Sequence, residues 1–193
     1  MRLALVDLGF GNLGSVAIAF DRLGVAPERT DDAAAISSAD KVVLPGVGHA
    51  GFAMRQIHAR GLAPLLRGLT QPLLGICLGM QLLFERTDED ETECLGLLPG
   101  AVRRLEPEVG RPVPHMGWSQ LGVANEAIGL ATGDHVYFAH SFACDDGAAT
   151  VARADYGRPV PAVVRSGNLT GAQFHPERSS VPGRRFLESW LRA

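Results

Sequence analysis

Residues 72–79, read as Pro72-Leu73-Leu74-Gly75-Ile76-Cys77-Leu78-Gly79, constrain the fold of this chain more than any other stretch. A short apolar run enters through proline, and small residues then flank Cys77 two positions to either side. A second apolar stretch, residues 78–85, follows at helical spacing, with Leu78, Leu82 and Phe84 on one face and Glu85 toward water. The pattern predicts a strand, a sharp turn and a helix in that order. It is the thiol counterpart of the G-x-S-x-G elbow, in which small neighbours let a strained turn lift a nucleophile clear of the backbone. The rest of the N-terminal half agrees. Apolar runs at residues 3–6 and 41–44 alternate with helical stretches at 12–23 and 52–67. Strands alternating with helices predict an open, mostly parallel twisted sheet with helices on both faces.

After Gly100 the texture changes to strands and turns, at residues 102–105, 113–118, 136–140, 149–154, 162–165 and 169–174. These predict added strands and antiparallel hairpins. Pro182 opens a last helix whose Phe186, Leu187, Trp190 and Leu191 mark one apolar face. No linker, repeat or low-complexity stretch divides the 193 residues, so a single domain, residues 1–193, is expected.

The elbow puts Cys77 at a helix N-terminus, where unpaired N–H groups and the helix dipole favour thiolate over thiol. Cys94 and Cys144 have no such setting and read as structural. A nucleophilic thiol needs a base. Of the six histidines, only His175 has a carboxylate two residues on, at Glu177. If the chain stays extended through Pro176, both side chains project to one side, and Glu177 orients the ring while its other nitrogen faces Cys77. The elbow and the His175-Pro176-Glu177 segment would both lie at the carboxyl ends of strands, where open parallel sheets place their sites.

A competing motif lies near the N-terminus. Gly9-Phe10-Gly11-Asn12-Leu13-Gly14 follows the first strand as G-x-G-x-x-G, with Asp31 and Asp32 about 20 residues on, as a dinucleotide site using Gly9, Gly11 and Gly14 would require. Against it, the acidic pair lies past Pro27-Glu28-Arg29 in a turn-like segment rather than at a strand end. The glycines also suit a plain strand-to-helix corner.

The net charge of −3 and scattered basic residues argue against a nucleic-acid surface. No run approaches the ~18 apolar residues of a membrane helix, and Asp7 follows too soon for a signal peptide. Three cysteines without paired spacing fit a reducing cytoplasm, with no zinc site and no cofactor expected. The acidic stretch Asp88-Glu89-Asp90-Glu91-Thr92-Glu93 reads as a solvated loop.

At these residues the chain resembles the class I glutamine amidotransferases. Gly75-Ile76-Cys77-Leu78-Gly79-Met80-Gln81 and His175-Pro176-Glu177 resemble the class as a whole. Val113-Pro114-His115-Met116-Gly117-Trp118, Phe138-Ala139-His140-Ser141-Phe142 and Gly11-Asn12-Leu13 are similar to the glutaminase subunits of imidazole glycerol phosphate synthase within it. The resemblance implies that Cys77 attacks the side-chain amide of L-glutamine, with His175 as base then acid and Glu177 holding the ring. It implies an oxyanion hole from the N–H of Leu78 and a second donor at Val47 or Gly48, in the Pro45-Gly46-Val47-Gly48 loop. By the same resemblance Gln81 and the backbone at Gly48, Ser141 and Phe142 grip the amino-acid end of the substrate. The implied partner is the cyclase subunit of that synthase, a (β/α)8 barrel in histidine biosynthesis, forming a heterodimer through a face that includes Asn12, Trp118 and Arg178. The chain departs from the usual pattern at Leu8, Ser119, Phe142 and Arg178. Where Arg178 stands, lysine is usual, so a point ammonium is replaced by a planar fork.

Overall fold

The computed structural model describes residues 1–124 and 128–193. The first half runs β1 (Leu3–Val6), α1 (Leu13–Asp21), β2 (Glu28–Thr30), α2 (Ala33–Ser38), β3 (Lys41–Gly46), α3 (Ala50–Ala59), α4 (Leu62–Gly68), β4 (Leu73–Cys77) and α5 (Leu78–Gln81). Next come β5 (Arg86–Thr87), a 3-10 turn Glu89–Glu91, β6 (Thr92–Glu93), β7 (Ala101–Arg104), β8 (His115–Val123), β9 (His135–His140) and β10 (Phe142–Cys144). The chain ends with β11 (Thr150–Asp155), β12 (Pro159–Ser166), β13 (Leu169–Ala172), a 3-10 turn Pro176–Arg178 and α6 (Ser180–Arg192).

Nine strands form one sheet in the order β2-β1-β3-β4-β13-β12-β11-β8-β9. From β2 through β13 every neighbour is parallel, and from β13 to β9 every neighbour is antiparallel. The parallel half matches the strand-helix alternation of the sequence, and the antiparallel half matches the change of texture after Gly100. A separate four-stranded sheet, β10-β7-β5-β6, is not apparent from the sequence.

Helices cover both faces because each central strand is apolar on both. In β1, Leu3 and Leu5 pack with α1 and α6 through Phe20, Phe186 and Trp190, whereas Ala4 and Val6 pack with α2, α3 and α4 through Ile36, Ile57 and Leu66. This two-sided burial is what a parallel sheet demands.

Three expectations change. The stretch 52–67 is two helices, because Gly61 adopts a left-handed φ of 66° between them. The helix after Cys77 ends at Gln81 rather than near residue 85. Its would-be carbonyls are taken by another segment: Leu95 N donates to Leu82 O at 2.9 Å, Gly96 N to Phe84 O at 2.8 Å and Leu97 N to Leu83 O at 2.8 Å. Residues 88–93 are not a loop but the 3-10 turn and β6, with Asp90 and Glu91 both at positive φ.

Candidate active site

Cys77 ends β4 and caps α5 with φ 54° and ψ −111°, a conformation that costs a non-glycine residue about 1–3 kcal/mol and is held only by its surroundings. Those surroundings are backbone. A Cβ on Gly75 would lie 2.6 Å from Gly79 O, and one on Gly46 would lie 2.7 Å from Gly79 N. The β3–β4 register that sets Gly46 against Cys77 therefore needs a glycine on the neighbouring strand as well. The sequence reading misses Gly46 in this role, since nothing local marks it.

His175 follows β13, which is parallel to β4, and so reaches the same end of the sheet as Cys77. Its Nδ1 is 2.8 Å from Glu177 Oε1, and the two side chains are 9% and 2% exposed. The contact is the one expected, but its backbone is not. Residues 176–178 form a 3-10 turn instead of an extended run, and the turn brings the carboxylate back to the Nδ1 edge of the ring. Burial works against a charged ring here. Hydrogen bonds to the Cys77 thiol and the Glu177 carboxylate, with their negative charge, outweigh it and raise the His175 pKa from 6.5 to about 10.

A ring whose pKa is raised in the folded state keeps its proton through neutral pH and loses it only as pH climbs through about 10. NMR titration of His175 checks this directly. Glu177→Gln keeps a hydrogen-bond acceptor but removes the charge, so the midpoint moves downward, by on the order of one unit or more. An unmoved midpoint would show that the carboxylate only orients the ring.

Both residues open onto a cleft of about 480 Å³, which Val47, Gly48, Leu78, Gln81, Ser141 and Phe142 also line. All the expected oxyanion-hole and substrate-binding residues thus share one space. Gln81 Nε2 donates to Phe142 O at 2.7 Å and to Gln173 Oε1 at 3.0 Å, and Gln173 Nε2 lies 3.8 Å from Cys77 Sγ. The Ser141 carbonyl accepts from Leu105 N at 2.8 Å. Gln173, fully buried beside the thiol, is a second residue that sequence reasoning does not single out. Glu89 is a third. Its Oε2 accepts from Ala50 N at 2.6 Å, and the residue lines the cleft. Its place in an acidic run hides it.

Asn12 and Arg178 also line the cleft, and Arg178 lies over the Tyr137 ring at 4.5 Å while Trp118 meets the same ring edge-on at 6.1 Å. The three expected interface residues therefore gather along one rim, where Met116 and Trp118 are 63% and 52% exposed.

The competing glycine corner serves this site too. A Cβ on Gly11 would sit 3.7 Å from Val47 Cγ2, so the corner packs against the loop beside Cys77. The acidic pair does follow a strand, β2, contrary to the turn-like reading of that segment. Each acid nonetheless has a role in the fold: Asp32 Oδ1 accepts from Ala35 N at 2.7 Å as the cap of α2, and Asp31 pairs with Arg60 Nε at 3.1 Å. These contacts account for both carboxylates without a nucleotide.

A thiol on a strained elbow, a proton-retaining imidazole beside it and a buried carboxylate behind are the parts of a cysteine acyl-transfer site. Residues 6–192 match the family described as glutamine amidotransferase class-I. A solved glutamine amidotransferase superposes with a TM-score of 0.77 at 21% identity, over 98% of this chain and 99% of that one. The glutaminase domain of Trypanosoma brucei CTPS gives a TM-score of 0.68 at 17% identity, over 100% and 94%. These two likenesses show the fold. Imidazole glycerol phosphate synthase subunit HisH of Xanthomonas axonopodis pv. citri is 50% identical over 97% of this chain and 96% of its own length. The subunit of the same name from Xylella fastidiosa is also 50% identical, over 97% and 96%. The chain belongs to the class I glutamine amidotransferases, in the branch of the HisH subunits.

Proposed function

We propose that the chain is the glutaminase subunit of an imidazole glycerol phosphate synthase, releasing ammonia from L-glutamine for a cyclase subunit in histidine biosynthesis. The observation that carries this is the junction of Cys77, His175 and Glu177 in one cleft, with the protonated imidazole hydrogen-bonded to the sulfur on one side and the carboxylate on the other. Cys77 Sγ attacks the side-chain amide carbon, and the carbonyl electrons move onto oxygen. His175 gives its proton to the departing nitrogen, leaving a thioester and ammonia. Water, deprotonated by His175, then attacks the thioester and frees glutamate, which restores the thiolate and the imidazolium.

Each tetrahedral species carries an oxyanion. The first N–H groups of α5 have no partner within the helix, so Leu78 N–H is one donor, and Val47 or Gly48 supplies the other. The amino-acid end of the substrate meets Gln81, whose amide N–H groups are both occupied by protein acceptors, so its oxygen is the end offered to an ammonium. Gly48, Ser141 and Phe142 line the same cleft, and Glu89 adds a carboxylate to its wall. The second reading, a dinucleotide-binding module, has no specific observation to favour it, since Asp31 and Asp32 both have roles within the fold.

Ammonia set free in water would be protonated and lost, so the cleft needs a docked consumer of its product. The rim carrying Asn12, Trp118 and Arg178, with the exposed Met116, is the face we assign to the cyclase. No helix among the described residues is long and apolar enough to cross a membrane, and three unpaired cysteines suit the reducing cytoplasm.

The test is glutamine hydrolysis by the purified chain alone and with the cyclase and its phosphorylated ribose substrate. Hydrolysis is expected to be weak alone and to rise by on the order of 10²–10³, the worth of one oxyanion donor, in the complete system. Full hydrolysis without the partner, or none with it, would overturn the proposal.

A further inference from the structure

Running back from the cleft wall, where His140 lines it, three polar side chains unused by the mechanism form a chain. Ser119 Oγ is 2.8 Å from His115 Nε2, His115 Nδ1 is 3.0 Å from His140 Nε2, and His140 Nδ1 is 2.8 Å from the Phe142 carbonyl. The direction of every hydrogen bond follows from the last one. A carbonyl oxygen only accepts, so His140 carries its proton on Nδ1 and accepts at Nε2. His115 must then donate from Nδ1 and accept at Nε2, which leaves Ser119 as the donor. Protonating His140 would set an Nε2–H against the His115 Nδ1–H and force His115 into its other tautomer, with Ser119 turning from donor to acceptor.

The surroundings keep both rings neutral. His115 is stacked between Phe138 and Tyr156, with ring centroids 4.6 Å and 3.8 Å away, and the two histidines are 2% and 6% exposed. Burial, first among the causes, pushes His115 from 6.5 to about 4 and His140 to about 3.

The chain ends on an atom with a second duty. The Phe142 carbonyl also accepts from Gln81 Nε2 at 2.7 Å, and Gln173 Oε1 takes the other proton of the same amide at 3.0 Å. We propose that Ser119, His115 and His140 are positioning residues for the substrate, fixing the Phe142 carbonyl and through it turning the Gln81 amide oxygen toward the ammonium of glutamine. This rests on glutamine as substrate. Without the chain, the Phe142 carbonyl loses the His140 donor that fixes its direction, and the Gln81 amide that donates to it shifts with it.

The test uses the complex with its cyclase. Ser119 is half-buried, so Ser119→Ala is not expected to disturb folding. It raises KM for glutamine roughly fivefold to tenfold, the worth of one hydrogen bond whose loss leaves a buried acceptor, and leaves kcat within about twofold. Ser119→Thr keeps the hydroxyl and restores KM. His115→Phe, which also strands His140 Nε2, has a larger effect in the same direction. Alkylation of Cys77 by iodoacetamide, a probe without an amino-acid end, proceeds at the unaltered rate in Ser119→Ala. Nitrogen-15 NMR of the histidine rings shows both as neutral Nδ1–H tautomers. A KM unmoved by Ser119→Ala, alkylation slowed along with glutamine turnover, or either ring found as the Nε2–H tautomer overturns the proposal. Absence of glutamine hydrolysis by the unaltered complex is a failure of the substrate reading. An unmoved KM in a complex that does hydrolyse glutamine is a failure of this inference alone.

Discussion

Glutamine-dependent synthesis by the complex of this chain with its cyclase falls by at least ~10⁴-fold in Cys77→Ala, while synthesis supplied with ammonium salt stays within about twofold. The split follows from where the sulfur acts. Only the route through glutamine needs a thioester, so only that route loses its nucleophile. Ammonia added directly bypasses the cleft and needs nothing from the triad. The substitution also leaves the fold standing. Cys77 is 5% exposed and already sits at φ 54°, and alanine there suffers the same backbone strain with a smaller side chain. His175 loses the thiol that helps hold its proton but keeps Glu177 at 2.8 Å, so the ring stays oriented. Parallel assays of both nitrogen sources on one preparation decide the matter. Equal loss from both would mean that Cys77 supports the assembly rather than the chemistry.

What the sequence reveals of this site depends on how local each signal is. Gly75, Cys77 and Gly79 lie within five residues and describe a single corner, so the elbow is legible without knowing the fold. His175 and Glu177 are legible by proximity even though the reason anticipated for their contact, an extended backbone, gives way to a 3-10 turn that makes the same contact by another route. Gln173, Glu89 and Gly46 are illegible for the opposite reason. Gln173 matters because β13 runs beside β4, Gly46 because β3 does so on the other side, and Glu89 because its carboxylate caps the first turn of α3. Each depends on register between segments far apart in the chain. The small strands β2, β5, β6 and β10 are two or three residues long, too short to display any alternation. The helix after Cys77 is overread because its apolar residues 82–84 fit a helical stripe equally well, while backbone donors from residues 95–98 claim their carbonyls.

Gly79→Ala is expected to be the most damaging single-methyl change in the chain. A Cβ at Gly79 would lie 1.8 Å from the Leu44 carbonyl oxygen and 2.8 Å from its carbon. Both are backbone atoms of β3, a central strand paired on either side by β1 and β4, so no rotamer change relieves the overlap. Either β3 moves outward, breaking the register that sets Gly46 against Cys77, or α5 lifts away from the sheet and opens the elbow. Overpacking of a core usually costs about 1–3 kcal/mol, and a clash with immovable backbone belongs at or above the top of that range. For a chain of this length that corresponds to a fall in Tm of roughly 10 °C. Differential scanning calorimetry measures it, and iodoacetamide reactivity of Cys77 in the surviving folded fraction reports whether the elbow has opened. The corresponding change at Gly48, which nothing crowds within 4 Å, meets only the strain of its φ of 90° and lowers Tm by a few degrees at most. A Gly79→Ala protein as stable as the unaltered chain would mean that β3 and α5 do not pack as closely as their backbone atoms indicate, and the geometry that holds Cys77 in its strained turn would need another source.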